Sequence, residues 1–305
     1  MNLHEHKVKF RKYVLEASLF FRMAPGIVEK DYYAVCVLKR ITENVPFIAF
    51  KGGTSLSKCF RIIQRFSEDV DISFCNGRER ATQNQRQTTN RAVRTACQNN
   101  GFGLCELKDG FRSNREFNSA AVKYDCLFKD SPVQNRIKVE LSCFLPIFPT
   151  VRKEVVSYVG EYLYKTDDRK TAELYDLLPF SVCVQSVERT FIDKVFALCD
   201  YYIEKNITGH SRHIYDLHCL YADAGMDADR LRGLAAEVRE LRRKWCKKAL
   251  SAGPEHNISG LLQQIIDERA FRDDYNSLTK CFLFNDVPYS TVIRTLSEIA
   301  GSGIF

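Results

Sequence analysis

Two carboxylates stand at alternate positions in a short apolar stretch of the sequence. Asp69 and Asp71 are interleaved with Val70 and Ile72 in the segment DVDISF. Alternate residues of a β-strand face the same side, so a strand here places the carboxylates side by side, about 6–7 Å apart, with their neighbours toward the core. Like charges this close raise each other's proton affinity unless a cation lies between them. Because Mg²⁺ prefers a few carboxylates together with phosphate oxygens, the pair predicts a magnesium and phosphate site.

A third carboxylate belongs to a separate stretch with the same alternation. The segment NRIKVELSCF alternates apolar and polar side chains, which predicts a strand with one buried face and with Glu140 on the other. Glu140 is therefore a candidate third metal ligand beside Asp69 and Asp71.

A glycine pair precedes the first two acids by about one helix length. Glycines leave the backbone open to close approach, and free N–H groups at a helix N-terminus favour a phosphate. Neighbouring hydroxyl and ammonium groups add donors and positive charge, although the pattern is not a P-loop, because G-x-x-x-x-G-K-[ST] does not occur here. The predicted substrate-binding residues are Lys51, Gly52, Gly53, Thr54, Ser55, Lys58 and Ser67.

Each of these features taken alone has an ordinary structural explanation. A lone D-x-D is more often the polar edge of a strand, and a lone G-G before a helix is no more specific. The coupling favours a functional site: a strand, G-G-T-S, one helix, and then S-x-D-x-D on a second strand.

The elements that must position these residues follow from hydrophobic periodicity. The spacing of apolar residues changes from helical periodicity to strand-like alternation and back, which predicts an α+β fold. We expect a mixed sheet with flanking helices over residues 1–180. A helical domain over 181–305 would complete the active-site cleft. No linker marks this boundary. The predicted elements are two helices before residue 45, a strand over Pro46–Phe50, a helix over 53–66, strands over 69–74, 102–108, 116–128 and 135–144, a helix over 83–99, a mixed segment to Pro179, and helices from residue 186.

Composition excludes several other classes of protein. The 305 residues are 45% hydrophobic and 27% charged, an ordinary globular balance, and the net charge of +7 is compatible with a polyanionic partner. No apolar run has the length of a membrane span, and the first residues lack the layout of a signal peptide. The twelve cysteines are scattered without a C-x-x-C pair, so we expect free thiols in a cytoplasmic protein rather than zinc ligands or disulfides.

Four blocks, in this order, resemble a known family. They are EKDYYAVCVLKRI, FKGGTSLSK with RFSEDVD, ERTFIDKVFALCDYY and RHIYDLHCL, spanning about residues 29–222. G-[GS]-[ST] followed by D-x-D is similar to the signature of polymerase-β-like nucleotidyltransferases. The blocks together resemble the AbiEii/AbiGii toxins, the nucleotidyltransferases of bacterial abortive-infection and toxin–antitoxin systems.

The resemblance implies a nucleotidyltransferase-type sheet and Mg²⁺-dependent transfer of a nucleotide from an NTP to an RNA acceptor, which is tRNA for some members. Asp69 and Asp71 would hold Mg²⁺ and the triphosphate, with Glu140 as a third carboxylate. Lys194 in the third block would neutralise charge on the leaving pyrophosphate, and Asp216 in the fourth would orient Lys194 or contact the nucleotide. A cognate antitoxin is a further expected partner.

Lys194 and Asp216 also have structural readings. A lysine on a helix face is usually solvated, but Lys194 flanks the apolar stripe of its helix. Asp216 lies between apolar residues, where an acid is costly unless it is paired, and Arg212 and Lys194 are the candidate partners. His213 and His218 diverge by about 140° on a helix, so we interpret them as ordinary structural or surface histidines rather than a metal pair.

Two basic runs bear on the acceptor. One follows the D-x-D strand and the other lies in the segment DRLRGLAAEVRELRRKWCKKAL; each could neutralise RNA phosphates or form a solvated helix face. Two alternatives to RNA modification stay open: transfer of the nucleotide to a protein or small molecule, and a non-catalytic NTP-binding interaction module.

Overall fold

The computed structural model describes residues 1–45, 47–108, 111–129, 133–223 and 227–305. The chain divides into two compact units. The first contains Met1–Cys59 and Ser67–Val184, and the second contains Phe60–Phe66 and Gln185–Phe305. A short internal segment thus belongs to the helical unit although both of its flanks belong to the sheet unit. Pro46, the first residue of a predicted strand, lies outside the described residues.

The first unit is built on a mixed seven-stranded sheet, in the order β3-β4-β5-β2-β1-β7-β6. The central strand β2 is antiparallel to β1 and parallel to β5, and β1 is parallel to β7. The predicted α+β class is therefore confirmed. The strands are β1 (Ile48–Lys51), β2 (Val70–Phe74), β3 (Cys105–Leu107), β4 (Phe117–Lys123), β5 (Arg136–Ser142), β6 (Thr150–Val155) and β7 (Phe180–Gln185).

Alternation explains the sheet. Val70 and Ile72 on β2 and Val139 and Leu141 on β5 are buried, whereas Asp71 and Glu140 between them are only partly buried. The helices of this unit are α1 (Lys7–Phe21), α2 (Pro25–Asn44), α3 (Gly52–Ser55), α4 (Gln83–Gln98), α5 (Tyr158–Lys165) and α6 (Arg169–Leu174). Pro25 begins α2, and Thr82 and Gln85 form a capping box at the start of α4.

The helix predicted over 53–66 is much shorter in the structure. The α-helical turn Gly52–Ser55 continues as a π-helix over Leu56–Phe60, and Arg61 then takes a left-handed conformation with φ 58°. Beyond it, Phe66 N donates to Phe282 O at 2.9 Å and Phe284 N donates to Gln64 O at 2.9 Å. The prediction was wrong because these tertiary hydrogen bonds, which join residues 216 and 220 positions apart in the chain, override an apolar pattern of helical spacing.

Two strands were not predicted individually. β6 carries the charged residues Arg152, Lys153 and Glu154 at the edge of the sheet, so its sequence lacks the alternation of a half-buried strand. β7 joins β1 through the pair Phe50 and Val184. The sheet therefore extends into the segment that sequence patterns had left mixed.

The second unit is helical apart from the segment Phe60–Phe66. Ser186 caps its first helix by accepting from Arg189 N at 3.2 Å. Its helices are α7 (Val187–Ile203), α8 (Arg212–Asp223), α9 (Ala228–Trp245), α10 (Ile258–Asp267), α11 (Arg272–Ser277) and α12 (Tyr289–Gly301). In the part of the chain that the structure describes, no helix has both the length and the apolar character needed to cross a membrane. All twelve cysteines are free thiols.

Candidate active site

The carboxylates of the sheet unit lie on one face at matched register. Asp71 on β2 is the partner of Glu140 on the parallel strand β5 and of Lys51 on the antiparallel strand β1. Directly paired residues of neighbouring strands present their side chains on the same face, with Cβ atoms about 5 Å apart. Asp69 directly precedes β2, two residues from Asp71. The register therefore brings together three predicted site residues, Lys51, Asp71 and Glu140, from separate parts of the sequence.

At Gly52 the backbone passes very close to Asp71, one of the carboxylates Asp69, Asp71 and Glu140 that we call the carboxylate row. Its φ is +77°, a conformation that side chains disfavour, and a methyl group in place of its hydrogen would overlap Oδ2 of Asp71. Glycine is thus needed here both for the turn and for the space that Asp71 occupies. Gly53, by contrast, is buried at the start of the helical turn.

The oxygen donors fit a hard cation in the manner that Mg²⁺ uses with nucleotides. Among the residues that the structure describes, no three Asp, Glu, His or Cys side chains converge closely enough to hold a metal ion by themselves. Mg²⁺ is commonly bound by one or two carboxylates and completed by substrate phosphates and water, so a closed protein cage is not required. Asp69 and Asp71 would be the ligands, with Glu140 beside them.

An ammonium group lies among these carboxylates. Lys138 Nζ forms an ion pair with Glu140 Oε1, two residues along the same face of β5. Partial burial lowers the pKa of Lys138, but the hydrogen bond and charge of Glu140, with the charges of Asp69 and Asp71, outweigh it and raise the pKa. The sequence showed Lys138 only as a polar position in an alternating strand, and nothing in the pattern indicated that it lies near Asp69.

The predicted phosphate-binding hydroxyls are already engaged with one another or with the backbone. Thr54 Oγ1 donates to Ser67 Oγ at 3.0 Å, and Ser55 Oγ donates to Gly52 O at 2.8 Å. Ser55 is fully buried. These contacts fix the glycine turn against the segment that leads into β2.

Lys58 lies in a buried ion pair. Its Nζ is 2.7 Å from Oδ1 of Asp31 on α2 and lies over the ring of Tyr158 at 3.7 Å from the centroid. Asp31 also accepts from Tyr158 N at 2.7 Å. Lys58 thus joins the glycine turn to α2 and α5, so Lys51 is the better placed of the two lysines to meet a phosphate.

The EKD block of α2 anchors the surroundings of the site, a role that the sequence did not reveal. Lys30 is buried and forms an ion pair with Glu68, the neighbour of Asp69, at 2.6 Å. Glu29 accepts from Leu127 N at 2.8 Å and from Phe128 N at 3.2 Å. The signal was present, because three consecutive charges in an otherwise apolar helix need buried partners.

The helical unit contains a second charged cluster. Asp216 is fully buried on α8, and its two carboxylate oxygens accept from Arg65 Nε at 2.7 Å and Arg65 Nη2 at 2.8 Å. Lys194 Nζ on α7 donates to Asp216 Oδ2 at 2.6 Å. Lys194 was one of the two predicted partners of Asp216 and this pairing is confirmed. The other, Arg212, is exposed, and Arg65 holds the carboxylate instead.

The cluster carries one more positive than negative charge. Burial alone would raise the pKa of Asp216, but Arg65 and Lys194 lower it well below its usual range, so the carboxylate is ionised. Burial, together with the charge of Arg65, lowers the pKa of Lys194, and Asp216 only partly offsets this effect. When Lys194 is protonated, two buried cations share one anion, and the cluster has a surplus positive charge.

Arg65 is the member of this cluster that the sequence did not predict. It lies four residues before Asp69 within the predicted helix, and its partner is 151 residues away. One feature of the sequence could have indicated its role: the predicted helix is largely apolar, and a charged arginine side chain does not fit such a helix well. Arg65 Nη1 also donates to Phe66 O at 3.0 Å, which fixes the guanidinium to its own backbone.

The two histidines of α8 have different surroundings. Burial, with the nearby charges of Lys194 and Arg212, lowers the pKa of His213 well below its ordinary value. His218 Nδ1 is 2.8 Å from Thr295 Oγ1 on α12. These positions agree with structural roles for both residues.

Most arginines of α9 are used inside the helical unit. Arg239 donates to Ala252 O at 3.2 Å and to Gly253 O at 2.6 Å, and Arg242 is 2.6 Å from Asp200. Further ion pairs join Arg230 to Glu188, Arg232 to Asp229 and Arg243 to Glu240. The lysines at the end of the run, Lys244, Lys247 and Lys248, are exposed. In the other basic run, Arg80 and Arg86 both form ion pairs with Glu116.

Comparisons with known proteins agree with the resemblance of the blocks. A family model described as nucleotidyl transferase AbiEii toxin, type IV TA system, matches residues 37–295. Among solved structures, the chain is similar to JHP933 from Helicobacter pylori, with 15% identity, a TM-score of 0.45, and coverage of 90% of this chain and 91% of that one. It is also similar to MenT4, a nucleotidyltransferase toxin from Mycobacterium tuberculosis, with 14% identity, a TM-score of 0.45, and coverage of 90% and 84%. No curated protein matches the chain at a significant level.

Proposed function

Because the chain belongs to the AbiEii nucleotidyltransferase toxin family of type IV toxin–antitoxin systems, we propose that it transfers a nucleotide from an NTP to an RNA acceptor, the 3′ end of tRNA. The observation that carries this proposal is the carboxylate row of the sheet unit. Asp71 and Glu140 are paired on parallel strands, and Gly52 leaves room for Asp71 at the turn.

In this reaction a hydroxyl of the acceptor attacks the α-phosphorus of the NTP, the bond to the β-phosphate breaks, and pyrophosphate leaves. Bound Mg²⁺ supplies charge neutralisation at the phosphates. Asp69 and Asp71 hold the ion, with Glu140 as a third carboxylate. Lys51 and the backbone of Gly52 and Gly53 bind phosphate oxygens, and Thr54 and Ser67 keep that turn in place through their hydrogen bond.

The cluster of the helical unit has a separate role in the proposal. Lys194 binds phosphate oxygens and neutralises the negative charge that develops on the pyrophosphate. Asp216 aligns Lys194 through a 2.6 Å hydrogen bond, and Arg65 holds Asp216 with two. The guanidinium fork orients the carboxylate better than a single ammonium would, because its two N–H donors match both oxygens.

The biological setting follows from the family. We propose that the protein acts in the cytoplasm, where NTPs and tRNA are both present, that a cognate antitoxin restrains it, and that blocking tRNA during phage infection would give the abortive-infection phenotype. The net charge of +7 is compatible with a polyanionic acceptor such as RNA.

The test is a labelling assay with four separate α-labelled NTPs, Mg²⁺, total tRNA and cell protein. We expect label in tRNA with the wild type and a loss of at least about 100-fold in Asp71→Asn, because the single neutral oxygen of the amide cannot replace an ionised carboxylate. Asp125→Asn is the matched control, since Asp125 is an exposed carboxylate of the same unit whose ion pair with Lys7 is on the surface.

The other outcomes separate the alternatives. Label in protein or a small molecule, and none in tRNA, would show that the acceptor is wrong while the chemistry stands. Label in no fraction with any NTP, together with unchanged toxicity of Asp71→Asn in cells, would favour a non-catalytic NTP-binding module.

A further inference from the structure

Lys138 forms an ion pair with one of the three carboxylates that are candidates for binding a cation. It lies on β5 two residues before Glu140, so both side chains project from the same face, and its Nζ forms an ion pair with Glu140. Lys138 is 49% exposed and Glu140 27% exposed. A half-exposed ion pair of this kind usually contributes little to the free energy of folding.

The neighbouring strand supplies the other two carboxylates. Val70 on β2 is paired with Val139 on β5, and Asp71 is paired with Glu140. Asp69 therefore lies level with Lys138 at the start of the same ladder. The strand register thus places Lys138 and Glu140 on β5 beside Asp69 and Asp71 on the neighbouring strand, on the same face of the sheet.

An ammonium and a divalent cation at one set of carboxylates exclude each other. The ammonium satisfies the carboxylates in part when no metal is present, which relieves the repulsion between like charges. A divalent ion that enters must overcome the repulsion of Lys138 or displace it toward solvent. Displacement is feasible because the side chain is flexible and half-exposed.

We propose that Lys138 is an internal counter-ion of the carboxylate row: it offsets part of the negative charge of Asp69, Asp71 and Glu140 in the nucleotide-free protein and leaves them when metal and triphosphate bind together. This inference rests on the proposed nucleotidyltransferase function. Its consequence is that the free protein binds divalent cations weakly and that the nucleotide brings the metal with it. Lys138 is a positioning residue in this scheme and does not contact the reacting atoms.

The experiment measures Mn²⁺ binding to the full chain by electron paramagnetic resonance, first without nucleotide and then with a non-hydrolysable NTP analogue. Lys138→Met and Lys138→Gln remove the ammonium and keep most of the side-chain volume. The matched control is Lys123→Met, because Lys123 is 47% exposed on the adjacent strand β4 and forms an ion pair with Glu106 on β3.

We expect both Lys138 variants to bind Mn²⁺ about tenfold or more tightly than the wild type without nucleotide, because a positive charge has been removed from the site. Lys123→Met should bind Mn²⁺ with the affinity of the wild type. With the NTP analogue present, the difference in Mn²⁺ affinity between the Lys138 variants and the wild type should become smaller. Asp71→Asn added to Lys138→Met should abolish the gain.

Unchanged or weaker Mn²⁺ binding in both Lys138 variants would overturn the inference. So would a gain that survives Asp71→Asn, because the new binding would then lie elsewhere, and so would weaker analogue binding without any change in Mn²⁺ affinity, which would make Lys138 a phosphate ligand. Labelling of tRNA by the wild type is measured in parallel. Its failure would refute the proposed function whether or not the Lys138 variants gain Mn²⁺ affinity.

Discussion

At Gly52 the difference between one hydrogen and a methyl group decides whether Asp71 can keep its position. The closest overlap would fall on Oδ2, the end of a side chain, so the carboxylate would have to turn away, and the positive φ would add backbone strain. Function should therefore suffer more than folding.

We expect Gly52→Ala to reduce nucleotide transfer by about 100-fold, since small displacements of a reacting group have effects of this size. The measurement is kcat/KM for label transfer. Gly77→Ala is the control: Gly77 also has positive φ, +59°, but a methyl group there meets nothing within 4 Å. It should lose about 1 kcal/mol of stability and keep its activity. Equal activity loss in the two variants would show that backbone strain alone is responsible.

The charge balance of the Asp216 cluster separates its structural from its functional members. Lys194→Met leaves Arg65 and Asp216 as a neutral bidentate pair, whereas Asp216→Asn leaves two buried cations without an anion. We expect Asp216→Asn to cost about 3–5 kcal/mol of stability and Lys194→Met to cost about 1 kcal/mol. Both should abolish transfer.

Guanidinium unfolding followed by the fluorescence of Trp245 gives the measurement. Trp245 is the only tryptophan of the chain and lies at the end of α9, so its signal reports the helical unit. If Lys194→Met destabilises this unit as much as Asp216→Asn, the lysine belongs to the fold rather than to the chemistry.

At the scale of the element, α8 presents a neutral histidine beside a cationic cluster. The folded pKa of His213 is lowered from 6.5 by burial and then by Lys194 and Arg212. Below pH 6.5 the imidazole of His213 becomes protonated in the unfolded chain but stays neutral in the folded protein. The stability contributed by the neutral imidazole is therefore complete above that pH and is lost progressively as the pH falls toward the folded pKa.

We predict that His213→Asn flattens the loss of stability between about pH 6.5 and 5.5 by up to about 1.4 kcal/mol per pH unit, the value for one proton. Trp245 unfolding midpoints at several pH values provide the measurement. The same replacement at the exposed His6, His6→Asn, is the control for the loss of a histidine outside this cluster. Parallel pH profiles for the wild type and His213→Asn would contradict the prediction.

Helices and strands that have a clear pattern in their own sequence could be predicted. Those whose conformation depends on contacts with distant residues could not. Asp71 and Glu140 alternate with buried neighbours, so their strands and common face could be predicted separately; their register could not, because it depends on pairing across the sheet. Arg65 illustrates the opposite case. Residues 61–66 have the apolar spacing that is typical of a helix. Their backbone is not helical, because Gln64 and Phe66 form hydrogen bonds with Phe284 and Phe282 instead.

At the scale of the whole molecule, the second unit is discontinuous in sequence. Phe60–Phe66 contributes Arg65 to Asp216 and backbone hydrogen bonds to Phe282 and Phe284, and Gln64 N donates to Tyr215 Oη at 3.2 Å. The helices from residue 185 onward are thus incomplete without a segment that the chain supplies much earlier.

We expect the isolated fragment 185–305 to gain about 3 kcal/mol of stability from a peptide of residues 58–67 at about 100 times its Kd. The same peptide with Arg65→Ala should give far less, because Asp216 would keep only Lys194 as a partner. Trp245 fluorescence again serves as the measurement. A fragment that is equally stable with and without either peptide would show that the segment is dispensable.

The position of Phe60–Phe66 in the sequence also determines when, during synthesis, the second unit can be completed. Arg65 leaves the ribosome 151 residues before Asp216, an interval of about 8–30 s at ordinary elongation rates. The last strand to join the sheet unit, β7, likewise arrives more than a hundred residues after its partner β1. A messenger cut short between β5 and α8 would therefore yield a chain with Asp69, Asp71 and Glu140 but without Asp216, and under the proposed function we expect such a product to be inactive.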